Sequence, residues 1–453
     1  MAGEIRIPFK WRPRPYQMAG WVALEGGVKR AVLLWHRRAG KDLVCLNWTV
    51  VASQMRVGTY WHLFPTAKQG RKIVWDGMTN DGRAYLDFWP EGIRGGKPIN
   101  TEMKLKLRNG SMWQVVGADN YDEALVGANP VGIVVSEYAL QNPAAWRVLS
   151  PILAANGGWA IFPYTPRGKN HGWDLYEMAR RTQGWYADKL TVDDTKGEEG
   201  LPIIGPEIIE DQRRAGVPEE FIQQEYYVSF EASNVGAYYG AHMAKATAEG
   251  RIGVVPYDPR YLVETWWDIG TGDATAIWFV QHVGMEIRLI DFYMKTGMDV
   301  SHYAGVLQQK GYNYGRHIGP HDLDHRIWGS GGTNKEAART LGIRFEVAPK
   351  LSIEDGINAV RLMLPMCWFD AVKCADGIEA LKQYTKKYDE ELKRYSDEPL
   401  HDWSSDPADA ARTGAVMRRK IQSDRGPRQT QAITEDNPRG TWDRGQRYAQ
   451  MGE

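Results

Sequence analysis

Five short apolar runs in the first 165 residues constrain the fold more than any other feature: "AVLLW" (31–35), "TYWHLF" (59–64), "MWQVVG" (112–117), "VGIVVS" (131–136) and "WAIFPYT" (159–165). Each is of strand length and rich in β-branched or aromatic residues. None shows the clean alternation of a half-solvated strand, so they suit central strands covered on both faces. Helix-length polar stretches separate them, which predicts an α/β domain built on a central, parallel-rich sheet. A chain of 453 residues exceeds one ordinary core, and roughly one domain per 150 residues gives two or three domains.

The second half has a different rhythm. "ETWWDIGTGDATAIWFVQHVGMEIRLIDFY" (264–293) reads as three consecutive strands joined by tight turns. A helix over 299–311, a strand "HIGPHD" (317–322), a helix-strand pair ending at "FEVAP" (345–349) and more helix follow. That pattern predicts a mixed sheet with flanking helices. Between the halves, 193–218 is rich in Gly, Pro and charge, as a linker is, and the helical "PEEFIQQEYYVSF" comes next. From 421 onward apolar periodicity is absent, which predicts a disordered or weakly ordered tail. The expected division is 1–200, a linker or lid over 201–245, a second domain over 246–420 and the tail over 421–453.

Composition bounds the partners. Lysine plus arginine equals aspartate plus glutamate, 56 each, so a nucleic acid would have to be held by local patches. No run approaches the ~18 consecutive apolar residues of a membrane helix. The start "MAGEIRIPFK" lacks a secretory signal, and Cys45, Cys367 and Cys374 have neither metal-type nor disulfide-framework spacing. The expectation is a protein of the reducing cytoplasm with no membrane partner.

The first run leads into "LLWHRRAGKD" (33–42), where a strand meets Gly40-Lys41 and a helix-like apolar stretch. Backbone N–H groups at a helix N-terminus plus one lysine cradle phosphate oxygens, and Arg37, Arg38 and Ala39 belong to the same loop. Two positions depart from the phosphate-loop pattern: Trp35 replaces the first glycine, and Asp42 replaces the Ser or Thr hydroxyl. An ordinary basic strand-to-helix turn also accounts for this stretch alone. The fourth run, however, ends in Ser136-Glu137, where ATPases of this class carry Asp-Glu, the Asp for magnesium and the Glu for the attacking water. Each site thus holds the other's chemical type, which predicts an exchange: Asp42 supplies magnesium's carboxylate and Ser136 the hydroxyl. Independent drift in a weakened site is the alternative. Tyr16 and Gln17 in "RPRPYQ" are candidates to stack on adenine and read its edge, and Thr165 and Asn170 in "YTPRGKNHG" are candidates to sense a γ-phosphate.

These segments, with "FPTAKQGRKIVW" and "GADNYDEALVG", resemble the ATPase half of tailed-phage terminase large subunits over most of residues 10–175. The resemblance implies a P-loop ATPase of the ASCE type, with ATP and magnesium as cofactors. It further implies a motor that moves double-stranded DNA into a procapsid as a pentameric homo-oligomer on the portal protein, free protein being a monomer. A terminase small subunit as partner and the host cytoplasm as location are implied too. One departure stands out: Val126 occupies a position where family members often have arginine, so a trans-acting arginine finger would have to come from elsewhere, with Arg147 and Arg167 as candidates.

The second half offers carboxylates at element ends, the raw material of two-metal phosphodiester hydrolysis. Asp268 lies in the first strand of the meander, Asp322 at the end of the fourth, and Asp409 in "HDWSSDPADAAR". That layout is the one found in ribonuclease-H-like nucleases and predicts a magnesium or manganese site, with Asp273, Asp291 and Asp324 as supplementary acids and His321, His325 and His401 as further neighbours. Helix-capping by Asp406 with Pro407 at the first turn is the competing account of the "SDPAD" acids. Lys104, Lys106 and Arg108 form a candidate phosphate track or a solvated hairpin face, and "RRK" (418–420) is a second basic patch. The reading is therefore an ATPase and metal-dependent DNA endonuclease. A helicase-like or restriction-type DNA translocase and an inactive structural relative are the alternatives.

Overall fold

The computed structural model describes residues 11–119, 127–230, 236–270, 274–323, 333–389 and 394–424. The first sheet holds β1 (Arg30–Trp35), β2 (Thr59–Phe64), β3 (Lys104–Lys106), β4 (Met112–Gly117), β5 (Pro130–Val135), β6 (Trp159–Tyr164) and β7 (Trp185–Leu190). The five expected runs are five of these strands. Their order is β3-β4-β2-β5-β6-β1-β7, with only β3 antiparallel. Among them β1, β2, β5 and β6 are buried along nearly their whole length, because helices cover both faces. Helices Met18–Glu25 and Lys41–Met55 pack on one side, Pro143–Asn156 and His171–Ala179 on the other. Since β6 lies between β1 and β5, the carboxyl ends of all three open onto one crevice, where α/β sheets bind ligands.

The second sheet holds β8 (Ile252–Gly253), β9 (Val263–Asp268), β10 (Ala274–Val283), β11 (Glu286–Thr296), β12 (Tyr314–Gly319), β13 (Phe345–Val347) and β14 (Cys367–Asp370), and a two-stranded hairpin, β15 (Lys386–Asp389) and β16 (Arg394–Pro399), stands apart. The order is β13-β12-β9-β10-β11-β14-β8, and only β10 runs antiparallel to its neighbours. Its first five strands, 5-4-1-2-3 in order of appearance, form the ribonuclease-H-like arrangement. Helices Ile353–Met363, Ala375–Gln383 and Ser405–Asp424 cover one face, Val300–Lys310 and Asn334–Thr340 the other. β8 and β14 extend this sheet beyond what the sequence pattern showed.

Three expectations need adjustment. The stretch read as a linker over 193–218 folds: the helices Pro206–Arg214 and Glu219–Glu225 build a small core from Val192, Ile204, Ile209, Val217 and Ile222. β12 stops at Gly319, so Asp322 lies in the following turn rather than in the strand. Helix Ser405–Asp424 runs four residues into the expected tail, and 425–453 lie outside the described residues. Among the described residues no helix is long and apolar enough to cross a membrane.

The two units meet directly. Trp403 Nε1 donates to Leu140 O at 3.0 Å, Asn170 Nδ2 to Gln383 Oε1 at 2.8 Å, and His171 N to Glu379 Oε2 at 3.0 Å. Arg147 pairs with Asp376 across the same junction.

Close packing lays helix Ser405–Asp424 on β9: a Cβ added at Gly414 would fall 1.9 Å from Trp266 Cδ2, and Trp266 is fully buried. Gly414→Ala should therefore destabilise the second unit by about 1–3 kcal/mol through overpacking. Denaturant unfolding checks this, with Arg419→Ala as a surface control expected to stay within about 0.5 kcal/mol.

Candidate nucleotide and metal sites

The loop after β1 turns sharply, with Arg38 at φ 72° and Gly40 at φ 76°, before helix Lys41–Met55 begins. Left-handed residues beside a helix start aim successive N–H groups into one concavity, the backbone device that holds phosphate. Tyr16 and Gln17 brace this loop: Tyr16 Oη donates to Ala39 O at 2.9 Å and Gln17 Nε2 to the same oxygen at 2.8 Å. The Gln17 amide, expected to read a base, accepts from Arg14 N through Oε1 at 2.9 Å and is buried. It is thus engaged on the loop.

Across the crevice, Glu137 sits just past β5 at φ 51°, ψ 45°, a left-handed conformation that a non-glycine residue adopts at a cost of about 1–3 kcal/mol. This turn directs its carboxylate to Lys41, Nζ to Oε1 3.2 Å, and leaves Oε2 enclosed without a hydrogen-bond partner. Beside them Ser136 Oγ donates to Asp42 Oδ1 at 2.5 Å, and His62 Nε2 reaches the same oxygen at 3.3 Å. Burial works against charge on Asp42, but the hydrogen bond and charge of His62, the Lys41 ammonium and the Ser136 hydroxyl outweigh it and hold the carboxyl below its usual range. The two exchanged positions are therefore in contact, across 94 residues of chain.

Arg167, Thr165 and Asn170 follow β6. Thr165 is buried directly beyond the strand. Asn170 is committed elsewhere: its Oδ1 caps helix His171–Ala179 by accepting from Gly172 N at 2.9 Å, and its Nδ2 donates to Ala139 O at 2.8 Å and crosses to Gln383. Arg167 pairs with Glu225, and the Glu137 charge also acts on it. Arg147 is bound to Asp376 at the junction of the units. Val126 lies outside the described residues.

In the second unit β9 delivers Asp268 at its end, and helix Ser405–Asp424 presents Asp409 near its start. Burial first, then the charges of Asp409 and Asp406, push the Asp268 carboxyl well above the usual range, with Asp322 adding to the effect and Arg412 opposing it. Asp409 is likewise raised by burial against Arg412, His401 and a hydrogen bond from Tyr384. Its Oδ1 lies 3.0 Å from Arg412 Nη1 yet makes no hydrogen bond. Acids that disfavour each other's charge are one ingredient of a divalent-cation site, but the enclosed Asp409 Oδ1 is already ion-paired with Arg412. No group of three or more His, Cys, Asp or Glu among the described residues stands at metal-binding distances. Asp322 and His321 are exposed. Asp291 is fully engaged with Lys310 at 2.5 Å and Tyr312 at 2.9 Å. Asp273, Asp324 and His325 lie outside the described residues. Lys104 and Lys106 are on β3, but Arg108 lies beyond it and donates to Arg94 O at 3.1 Å.

Sequence reasoning missed four residues that the fold brings in. His62 sits inside "TYWHLF", where a buried imidazole in an apolar strand was the available signal. Asp406 was read as a cap only. Arg412 ended the stretch "HDWSSDPADAAR" without being given a role, and Tyr384, the other partner of Asp409, carried no signal.

No family model and no curated protein matches the chain. Solved structures similar to the chain include phage large terminases. The large terminase of a thermophilic bacteriophage, in complex with ADP, is 16% identical, with a TM-score of 0.40, covering 89% of this chain and 98% of that one. The Thermus phage P74-26 large terminase ATPase domain is 19% identical, with a TM-score of 0.40, over 49% and 94%. The P22 large terminase nuclease domain is 21% identical, with a TM-score of 0.31, over 38% and 89%.

Because the folded-state Asp268 carboxyl holds its proton to higher pH than an unfolded aspartate, it costs stability as pH rises through that window and nothing below the ordinary aspartate range. In chelator at neutral pH, Asp268→Asn should accordingly be more stable than the wild type by about 0.5–2 kcal/mol. The gap should close as the pH falls into the ordinary aspartate range, as thermal unfolding across pH will show.

Proposed function

We propose that this chain is an ATP-driven DNA-packaging motor with a nuclease in its second unit. The observation that carries the motor reading is the meeting of Gly40-Lys41, at the end of β1, with Glu137, at the end of β5, across the intervening β6. A phosphate loop, a lysine and a carboxylate with one free oxygen are the parts of nucleoside triphosphate hydrolysis. The loop N–H groups and Lys41 bind the β- and γ-phosphates, and Glu137 orients and deprotonates the attacking water through Oε2. Magnesium would supply positive charge that neutralises the phosphates. Asp42 and Ser136 are the residues to hold it, with donor and acceptor exchanged between the two positions and His62 fixing the Asp42 carboxylate.

In the second unit Asp268, Asp322 and Asp409, with Asp406 beside them, are the residues that would hold a divalent metal, which would supply the charge that phosphodiester hydrolysis needs. Arg412 and Tyr384 orient Asp409. Double-stranded DNA is the substrate of both units. A homopentamer on the portal of a procapsid, a terminase small subunit and the host cytoplasm complete the reading.

DNA-stimulated ATP turnover and manganese-dependent plasmid cleavage by the full chain test it. Glu137→Gln should lower turnover by about 10²–10⁴-fold. Asp268→Ala should abolish cutting while ATP turnover persists, and a chain that turns over ATP but never cuts DNA is a translocase without a nuclease. For the exchanged pair, the double variant Asp42→Ser with Ser136→Asp should recover magnesium-dependent nucleotide binding lost in each single variant. A double variant no better than the worse single one means that the two positions do not work as a pair.

A further inference from the structure

Five alternating charges line the crevice: Lys41, Glu137, Arg167, Glu225 and Arg37. Lys41 pairs with Glu137 at 3.2 Å, Arg167 pairs with Glu225 while feeling the Glu137 charge, and Arg37 acts on Glu225. Four of the five come from the first sheet's loops. Glu225 does not: it is the last residue of helix Glu219–Glu225, in the segment that joins the two units. Its side chain is 3% exposed, its carboxylate accepts from Gln224 Nε2 at 2.8 Å, and its backbone oxygen accepts from Arg37 N in the loop after β1 at 2.8 Å. Burial opposes its charge, and the guanidinium of Arg167, Gln224 and Arg37 nonetheless keep its carboxyl below the usual range. A connecting segment has thus placed one buried anion inside a basic phosphate loop.

We infer that Glu225 stands in for the γ-phosphate: it holds Arg167 while no triphosphate is present, and the γ-phosphate takes Arg167 from it. The inference rests on the nucleotide reading above and adds the residue that reports nucleotide state to the connecting segment. Two anions and two cations are paired in the crevice as it stands. A triphosphate brings further negative charge, and Lys41 and Arg167, each now held by a carboxylate, are the cations it competes for. Glu137 then loses Lys41 and gains freedom to face water, and Glu225 loses Arg167. Arg37 and Gln224 remain beside it, but a buried carboxylate that loses its hydrogen-bonded guanidinium is disfavoured where it stands, so Glu225 shifts within its enclosure. Because Ile222 lies one turn before Glu225 and is buried in the small core with Ile209 and Val217, that shift moves the helix and its partners together. ADP lacks the γ-phosphate and leaves the Arg167–Glu225 pair in place. Glu225 acts through Arg167, so it is a positioning residue.

The test is equilibrium binding of ATP-γ-S and of ADP, each with magnesium, to the full chain and its variants. Glu225→Gln removes the competitor, so ATP-γ-S should bind about tenfold more tightly than to wild type while ADP is unchanged. Arg167→Gln should erase the preference for triphosphate over diphosphate, and the double variant should behave like Arg167→Gln. A Glu225→Gln protein that binds both nucleotides as wild type does, or that gains or loses affinity for both alike, shows a structural ion pair and overturns the inference. If Glu225→Gln does not fold, Glu225→Asp, which withdraws the carboxylate by one methylene, decides by the same ratio with a smaller shift. A wild type that binds neither nucleotide overturns the nucleotide reading itself, whereas a wild type that binds both, with Lys41→Ala abolishing binding, leaves only the Glu225 inference at stake.

Discussion

The contact between Lys41 Nζ and Glu137 Oε1, 3.2 Å long, reaches across β6, which is inserted between β1 and β5. With β1 and β5 adjacent, their carboxyl ends would sit about 5 Å apart, and two strand spacings open room for a ligand between them. The same insertion puts the loop after β6 at the floor of the crevice, and so brings Arg167 into the row of charges. Glu137 holds its left-handed turn because the surrounding backbone fixes it: its N–H donates to Pro163 O at 2.8 Å, and Leu140 N closes the turn onto Glu137 O at 2.8 Å. Strain at that residue is thus maintained by the strand beside it.

That short turn also links the two units. Residues 138–140 follow Glu137 directly, Leu140 O accepts from Trp403, and His171 Nε2 lies 2.8 Å from Tyr138 O. Trp403 stands two residues before helix Ser405–Asp424, which carries Asp406 and Asp409. On the other side, Gln383, which receives Asn170, precedes Tyr384, which hydrogen-bonds to Asp409. The nucleotide crevice and the acid cluster are therefore separated by two short chains of packed backbone and side-chain contacts.

Much of this was legible in the sequence, and the limits have physical causes. Runs buried on both faces lose alternation and gain β-branched and aromatic residues, so β1, β2, β5 and β6 announced themselves; β4 was also found as a strand, but its burial alternates, so it is covered on one face only and not on both as expected. The meander β9-β10-β11 announced itself through its turns. β14 and β8 did not, because four residues and two residues paired in parallel across distant sequence carry no local period. Asp268 and Asp409 were found as acids at element ends. Asp322 was placed in a strand that ends three residues earlier, at Gly319, and it emerges exposed. Pairings such as Arg167 with Glu225, 58 residues apart, depend on where a connecting helix folds back, and the Gly- and Pro-rich composition of 193–218 pointed to a linker instead of a folded cap. The Asn170 amide looked available because its cap and its contact across the units are both tertiary facts.

Asp42 and Ser136 show how far a pattern departure can be read before the fold is known. A Ser at the strand end and an Asp at the helix start could each be a local loss. Their hydrogen bond of 2.5 Å shows that the two positions meet, which neither local pattern revealed. His62 joins them. An enclosed imidazole on β2, stacked on Phe64 with ring centroids 4.9 Å apart, is costly in an apolar strand unless it has a partner, and the partner it has is Asp42 Oδ1. Three elements, the first turn of the helix after β1, the middle of β2 and the end of β5, thus converge on one carboxylate oxygen. The Lys41 ammonium, the His62 imidazole and the Ser136 hydroxyl together satisfy that carboxylate and hold it below its usual range, against a burial that would raise it.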